Sequence, residues 1–403
     1  MGDVMLSSDD PAVTSAPAMA DFALHPTPHS IVSLKYDPAG VTLDWSDGRS
    51  CRFHALWLRD NCACRECRHP LALERTYIFI DHAPPAVTFA RLDSRGDLEV
   101  HFQQGQESHT SLFLQAWLRM HDPAESRLRA GELSALPWDD DIAERLVRID
   151  YQRYMNHREG IRAWISALKV NGIVLLERVP EISRQLLEVA RRIGQVRASN
   201  FGEYYDVVSM PKPNASAYTS MGLELHTDLA NWRYPPDVQL LFCLESGVKG
   251  GDSVFADGLR VFEALRASEP VAFDLLTTQP VEYRFHDTTC DIRTSSPLIE
   301  TDRHGNLQRI RFNNWLRGAT VFPDPMMEQM YAAIGTLWRM LRDPKYQLHL
   351  RLHPGDLIAY NNHRVLHGRA PFDASSGKRH LQGCYINLED VDSRLRMLDR
   401  PTG

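Results

Sequence analysis

Two side chains that bind metals stand two residues apart in His226-Thr227-Asp228. On an extended chain, positions i and i+2 point to the same side, so an imidazole and a carboxylate at this spacing can meet one ion from one strand end. Such a triplet alone is common by chance. A third ligand is on offer in Asn361-Asn362-His363-Arg364-Val365-Leu366-His367-Gly368-Arg369, downstream of the turn Pro354-Gly355-Asp356 and an apolar run to Tyr360. Both His363 and His367 qualify, and spacing does not choose between them. Two imidazoles and one carboxylate occupy a single face of a metal and leave positions open, as non-haem iron(II) oxygenases require for a co-substrate and O2. A zinc hydrolase would want a dedicated general base and a closer ligand cluster. Beyond the pair, Lys378-Arg379-His380 puts a cation on the next expected strand. A guanidinium pairs bidentately with a carboxylate, which suits Arg379 to the distal carboxylate of 2-oxoglutarate.

A second cluster has different chemistry. Three of the seven cysteines crowd into Cys62-Ala63-Cys64-Arg65-Glu66-Cys67. The first residues carry Asp3, Asp9 and Asp10 and no apolar core, so no secretory signal is expected and the cytoplasm is the expected compartment. There, such a cluster predicts metal binding rather than disulfides. Structural zinc wants four ligands, and His54, His69 and His109 are the nearby candidates. An internal echo favours His109, because Ser108-His109 stands in its second copy as Ser50-Cys51 stands in the first. Cys243, Cys290 and Cys384 are expected as ordinary core or partly buried residues.

The echo runs from Tyr36 to Gly48 with Trp57-Leu58-Arg59, and again from Leu92 to Gly105 with Trp117-Leu118-Arg119. Each copy predicts two short strands around a Gly turn and a short helix, together a small zinc-binding β domain over 31–125. Residues 1–30, rich in Ser, Ala and Pro, predict a disordered tail. A linker near Leu136 to Asp141 leads to a second domain over 140–403. There, helices are expected at 158–169, 182–193, 259–267 and 325–342. Strands are expected at 172–176, 238–244, 253–256, 281–285, 308–312, 347–352, 357–360 and 383–386. Short strands flanked by helices, with no Gly-x-Gly-x-x-Gly after a strand, predict a mainly β fold, a double-stranded β-helix (jelly-roll), rather than a nucleotide-binding sheet. A formal charge of −7 without a basic block speaks against nucleic acid and anionic membranes as partners. No apolar run approaches bilayer length, and a homodimer is the default assembly.

The order of these motifs resembles a known family. His226-Thr-Asp228, Gly250-Gly251-Asp252-Ser253 to Asp257, Leu366-His367-Gly368-Arg369 and Arg379-His-Leu are similar to the taurine dioxygenase superfamily of Fe(II)/2-oxoglutarate oxygenases. Trp57-Leu-Arg-Asp-Asn-Cys62 and Asn200-Phe201-Gly202 narrow the resemblance to the γ-butyrobetaine dioxygenase branch. It extends over nearly everything after the tail. It implies His367 rather than His363 as the third iron ligand, Arg379 and Ser253 as contacts of 2-oxoglutarate, and His109 as the fourth ligand of Zn(II) beside Cys62, Cys64 and Cys67. It also implies an aromatic cage for a trimethylammonium group, formed by Phe201, Tyr205, Tyr218 and Tyr385, with Asn314 at the substrate's anionic end. Phe201 and Tyr205 depart from the Tyr and Trp of some members. After Asp228 the chain reads Leu-Ala-Asn-Trp232-Arg233, without the Pro common in γ-butyrobetaine enzymes. The expected reaction is hydroxylation of γ-butyrobetaine to L-carnitine, the alternative being trimethyllysine or a trimethylammonium phosphonate as substrate. Arg233 is expected at the surface.

Overall fold

The computed structural model describes residues 27–122, 133–208 and 219–399. Tyr218 and all but the last few residues of the expected tail lie outside this set. The chain divides into two compact units, Met1–Glu132 with Asp399–Gly403, and Leu133–Leu398.

In the first unit the echo is real, but each copy has three strands where two were expected. Ile31–Asp37, Gly40–Trp45 and Ser50–His54 form one antiparallel meander, and Ala86–Leu92, Leu98–Gln104 and Glu107–Phe113 form the other. The third strand is polar on its outer face, with only Cys51 and Phe53 buried in one copy and Ser111 and Phe113 in the other, so its apolar signal is thin. A six-residue helix closes each copy, Ala55–Asp60 and Gln115–Met120. Leu43, Trp45, Phe53 and Leu58 share one core with Val100, Phe102, Phe113 and Leu118. The repeated Trp-Leu-Arg explains itself here. Trp57 and Trp117 stack at 5.0 Å, and the buried arginines cross over, Arg59 donating to Gln104 at 2.7 Å and Arg119 to Asp47 at 2.7 Å.

The second unit is built on two sheets. The larger has the order Arg148–Asp150, Ile173–Glu177, Leu357–Asn361, Val238–Ser246, Arg379–Ile386, Tyr205–Val208, and the smaller has Leu223–His226, Val365–Arg369, Ser253–Asp257, Gln347–Leu350. Strand alternation sorts the larger sheet's side chains. Leu240, Phe242, Leu357 and Ala359 pack with helix Arg158–Asn171, while Leu241, Ile358, Tyr360 and Leu381 meet Phe255 and Leu348 of the smaller sheet. Each such buried side chain contributes roughly 1.5–3 kcal/mol of transfer free energy. Helices Gly258–Ser268, Pro270–Thr278 and Met326–Arg342 cover the smaller sheet's outer face.

The expected mainly β architecture with flanking helices is what forms, with local differences. Gly172 adopts φ 74 and ends the first helix, so the strand begins at Ile173. The helix expected over 182–193 spans only Gln185–Arg191, because Arg184 at φ 70 breaks its start. The last strand begins at Arg379, not 383. Its first half, Arg379-His380-Leu381-Gln382, holds a single apolar residue, so its apolar signal is thin. No helix among the described residues is long and apolar enough to cross a membrane.

Candidate active site

His226 ends one strand of the smaller sheet, Asp228 follows two residues on, and His367 lies opposite His226 on the neighbouring strand. Gly368 makes that pairing possible, since a Cβ there would sit 2.6 Å from the carbonyl oxygen of Leu223. The Nε2 atoms of His226 and His367 lie 3.4 and 3.6 Å from Oδ1 of Asp228. His363 is elsewhere, with its Nε2 3.3 Å from Asp237. The structure therefore brings together His226, Asp228 and His367, and these three can hold one ion.

The surroundings hold the three groups rigidly. Nδ1 of His226 donates to the carbonyl oxygen of Glu224 at 2.8 Å, which leaves the Nε2 lone pair facing Asp228. Glu224 is itself fixed by Trp338 at 3.1 Å and Arg342 at 2.6 Å. Thr227 is tied to the Phe312 backbone by two hydrogen bonds of 2.8 and 3.1 Å. Asn362 accepts from the Asp228 N–H at 2.7 Å and donates to its carbonyl at 3.1 Å. This clamp holds a strained turn, for Leu229 stands at φ 52, a left-handed conformation uncommon outside Gly. Tyr385 Oη donates to Oδ2 of Asp228 at 2.8 Å.

Charge follows geometry. Burial, and then the neighbouring imidazole of His226, push the pKa of His367 down to about 3, so its ring is neutral at neutral pH. Burial works against ionising Asp228, but the two imidazoles and the Tyr385 hydroxyl outweigh it and hold the carboxyl below its usual range. Neutral imidazoles and an ionised carboxylate are the protonation states a metal needs. On this donor set the residues fit a divalent iron.

These groups line one end of a cavity of about 460 Å³. Ser253, Arg369 and Arg379 line it too. Arg379 is only 9% exposed, and its guanidinium has no hydrogen bond or ion pair to another described residue, lying 5.8 Å from the Phe372 ring. Burial lowers its pKa to about 10, which still leaves a full cation facing the cavity. An unsatisfied buried guanidinium is costly unless an anion completes it. Aromatic rings line it as well. Tyr205 is 5.5 Å from Tyr385 and 6.4 Å from Phe201, and Phe201 meets Phe285 at 5.7 Å. Asn314 does not reach this space. It is exposed and accepts from Arg317, while Asn313 is buried and lines the cavity. Arg233 is exposed, as expected.

Residues 134–385 match the family described as "Taurine catabolism dioxygenase TauD, TfdA family". Residues 32–119 match "Gamma-butyrobetaine hydroxylase-like, N-terminal". This chain belongs to the TauD, TfdA dioxygenase family. A gamma-butyrobetaine dioxygenase of Pseudomonas sp. is 35% identical over 388 residues, covering 95% of this chain and all of the relative. The gamma-butyrobetaine dioxygenase of Homo sapiens is 29% identical, over 88% of this chain and 93% of the relative. A trimethyllysine dioxygenase of Meyerozyma guilliermondii is 28% identical, over 92% and 96%.

Within this dioxygenase several cavity residues carried no signal in the sequence. Phe285 comes from the hairpin Val281–His286 and Asp291–Ser296, Trp315 from an irregular segment, and Asn231 from the turn after Asp228. Trp315 stands edge-on to His226 at 5.1 Å. Asn313 was detectable to within one residue. The strand Leu307–Ile310 ends before it, so no alternation remains to say which of two adjacent asparagines faces inward.

The cysteine cluster lies in the first unit, within the matched N-terminal region. His109 on the strand Glu107–Phe113 meets Cys62, Cys64 and Cys67. A tetrahedral zinc with Zn–S about 2.3 Å and Zn–N about 2.0–2.1 Å implies S···N edges of about 3.6 Å. The edges from His109 Nε2 to the three sulfurs are 3.3, 3.7 and 3.6 Å. Arg59 donates to Cys67 Sγ at 3.1 Å. The hydrogen bond from Cys62, and those from His109 and Arg59, hold the Cys67 thiol well below its usual range. Neither His54 nor His69 belongs to the cluster; each caps a local turn.

Proposed function

We propose that the protein hydroxylates a trimethylammonium substrate, γ-butyrobetaine to L-carnitine, using iron(II), 2-oxoglutarate and O2. The observation that carries this reading is the single cavity in which two imidazoles and a carboxylate converge, with an uncompensated buried cation and a cluster of aromatic rings around them. His226, Asp228 and His367 would hold the iron. When bound, it supplies oxidative decarboxylation of 2-oxoglutarate and attack on an unactivated C–H bond. Arg379 grips the distal carboxylate of 2-oxoglutarate, and Ser253 adds a hydroxyl. Phe201, Tyr205 and Tyr385 offer ring faces to the trimethylammonium group, to which a quaternary cation is attracted without any donor. Tyr218 would complete the cage. Asn313, rather than Asn314, takes the substrate's anionic end, as its buried position at the cavity wall favours. The apolar walls exclude water from the reacting carbon.

We assign Cys62, Cys64, Cys67 and His109 to structural Zn(II), a closed four-ligand site with no position for substrate. The two units of the chain are taken as a zinc-binding β domain and a catalytic jelly-roll.

Succinate release measured against a panel of quaternary amines tests the substrate. γ-Butyrobetaine should stimulate turnover well above the uncoupled rate. Greater stimulation by trimethyllysine or a trimethylammonium phosphonate would move the assignment to that compound. No stimulation by any of them would overturn the cage. Anaerobic addition of iron(II) and 2-oxoglutarate should give a weak visible charge-transfer band, and its absence would overturn the oxygenase chemistry itself.

A further inference from the structure

We propose that the Tyr385 hydroxyl is a positioning group for the metal-binding carboxylate, so that one side chain serves both the ammonium cage and the metal. The inference rests on the metal and substrate reading above and adds a coupling between them.

Asp228 divides its two oxygens. Oδ1 faces the Nε2 atoms of both histidines at 3.4 and 3.6 Å, while Oδ2 accepts from Tyr385 Oη at 2.8 Å. The backbone on either side of Cα is already clamped by Asn362, so rotation of the carboxyl group is the freedom left. A hydrogen bond on the outer oxygen restrains it, and would leave Oδ1 as the oxygen offered, with the two imidazoles, to a metal. The Tyr385 hydroxyl interacts with two groups, the Asp228 carboxylate and the Tyr205 hydroxyl. The Tyr385 ring lies 5.5 Å from that of Tyr205, whose own hydroxyl accepts from Gln239 at 2.6 Å.

The placement is set by the larger sheet. Tyr385 pairs across the strands with Gln239, and Gly383, two residues earlier on the same face, pairs with Tyr205. Gly383 is needed there, because a Cβ would stand 2.3 Å from the Tyr205 ring. The ring thus lies over the strand beside Tyr385, and a one-residue slip of that strand would remove cage and carboxylate support together. Binding at the two places is therefore linked, and linkage of this kind is reciprocal.

The test is Tyr385→Phe, which keeps the ring and deletes the donor. Mn(II) affinity, measured by calorimetry on the metal-free full chain, should weaken about tenfold or more, the usual effect of losing an outer partner of a ligand. The affinity of the metal-free protein for γ-butyrobetaine should change by less than about threefold, since the ring face is retained. The visible spectrum of the Co(II)-loaded variant should shift as the freed carboxylate turns, which general loosening of the fold would not produce. Phe201→Leu, which removes a cage wall that does not touch Asp228, should leave Mn(II) affinity unchanged. Equal Mn(II) affinity in Tyr385→Phe, or an equal loss in Phe201→Leu, would overturn the proposal. A wild-type chain that binds no Mn(II) would instead defeat the metal reading beneath it. Melting of the metal-free proteins should be alike; if Tyr385→Phe does not fold, Co(II) spectra of wild type with and without γ-butyrobetaine carry the test, and identical spectra refute the coupling.

Discussion

Among the described residues two clusters are able to hold a metal, and they differ in what is left over. Cys62, Cys64, Cys67 and His109 would fill all four corners of a tetrahedral ion, and Arg59 sits against one sulfur. His226, Asp228 and His367 would fill three positions, and they line a cavity whose wall carries the buried Arg379, which has no ion pair among the described residues. A saturated ion can only cross-link chain; an unsaturated one can do chemistry. The first cluster lies in a unit whose core is shared by two small three-stranded meanders, too little apolar surface to be strongly stable alone. The second is carried by two full sheets and three core clusters, so its framework needs no metal to fold. The closed site should therefore govern stability, and the open one turnover.

The largest effect expected from this contrast is that of Cys64→Ser. Structural zinc binds small domains with roughly 10–16 kcal/mol, so losing a thiolate should release one zinc per chain and sharply lower the melting temperature of the first unit. Elemental analysis and calorimetry measure both, and full zinc retention would remove the four-ligand assignment. Asp228→Ala should do the converse. Turnover should fall by more than the roughly 100-fold typical for outer-shell partners of a ligand, with zinc content and melting unchanged. If Asp228→Ala destabilised the chain as Cys64→Ser does, the division between a structural and a working site would collapse.

The two clusters were not equally legible before folding. Ligand-type side chains declare themselves, so His226-Thr-Asp228 and the three cysteines could be read from residue identity and spacing. What spacing could not supply was the partner from far along the chain. His363 and His367 were separated only by the resemblance to a family, and the structure gives the physical reason: His363 lies in the turn beside Asp237, while His367 lies in the strand paired with His226. Nearly continuous apolar runs, such as Val238–Ser246, were found at nearly their true limits. Polar strands were harder: Ser50–His54 was not expected, and Arg379, though placed on a strand, was not joined to the run expected from 383. The cavity wall was hardest, because Phe285, Trp315 and Asn313 reach it from a hairpin tip and loops whose direction is set by tertiary packing. Asn314 was chosen where Asn313 faces inward, and the contact of Tyr385 with Asp228 had no sequence signature at all.

A smaller effect should distinguish the two ends of the open site. Arg379→Ala should remove the charge-assisted pair proposed for 2-oxoglutarate, a loss of about 1.5–3 kcal/mol, or roughly 10- to 150-fold. Because Arg379 does not touch the metal-binding triad, this should appear in the KM for 2-oxoglutarate, with metal affinity intact. A change confined to the KM for the amine would place 2-oxoglutarate elsewhere.

The smallest expected effect lies among the aromatic rings of the cavity. Phe201 offers an edge-packed ring, touching Phe285 at 5.7 Å and Tyr205 at 6.4 Å. Cation–π attraction contributes about 0.5–2 kcal/mol per ring, depending on how far water is excluded. Phe201→Leu keeps an apolar wall of similar size and deletes only the π face, so affinity for γ-butyrobetaine should drop by a factor of about 2–30. A neutral isostere with a tert-butyl group in place of trimethylammonium isolates the cause, because it has the same shape without the charge. Its affinity should hardly change between wild type and variant. If both ligands lose equally, Phe201 contributes shape alone, and the selectivity for a cation must come from Tyr205 and Tyr385.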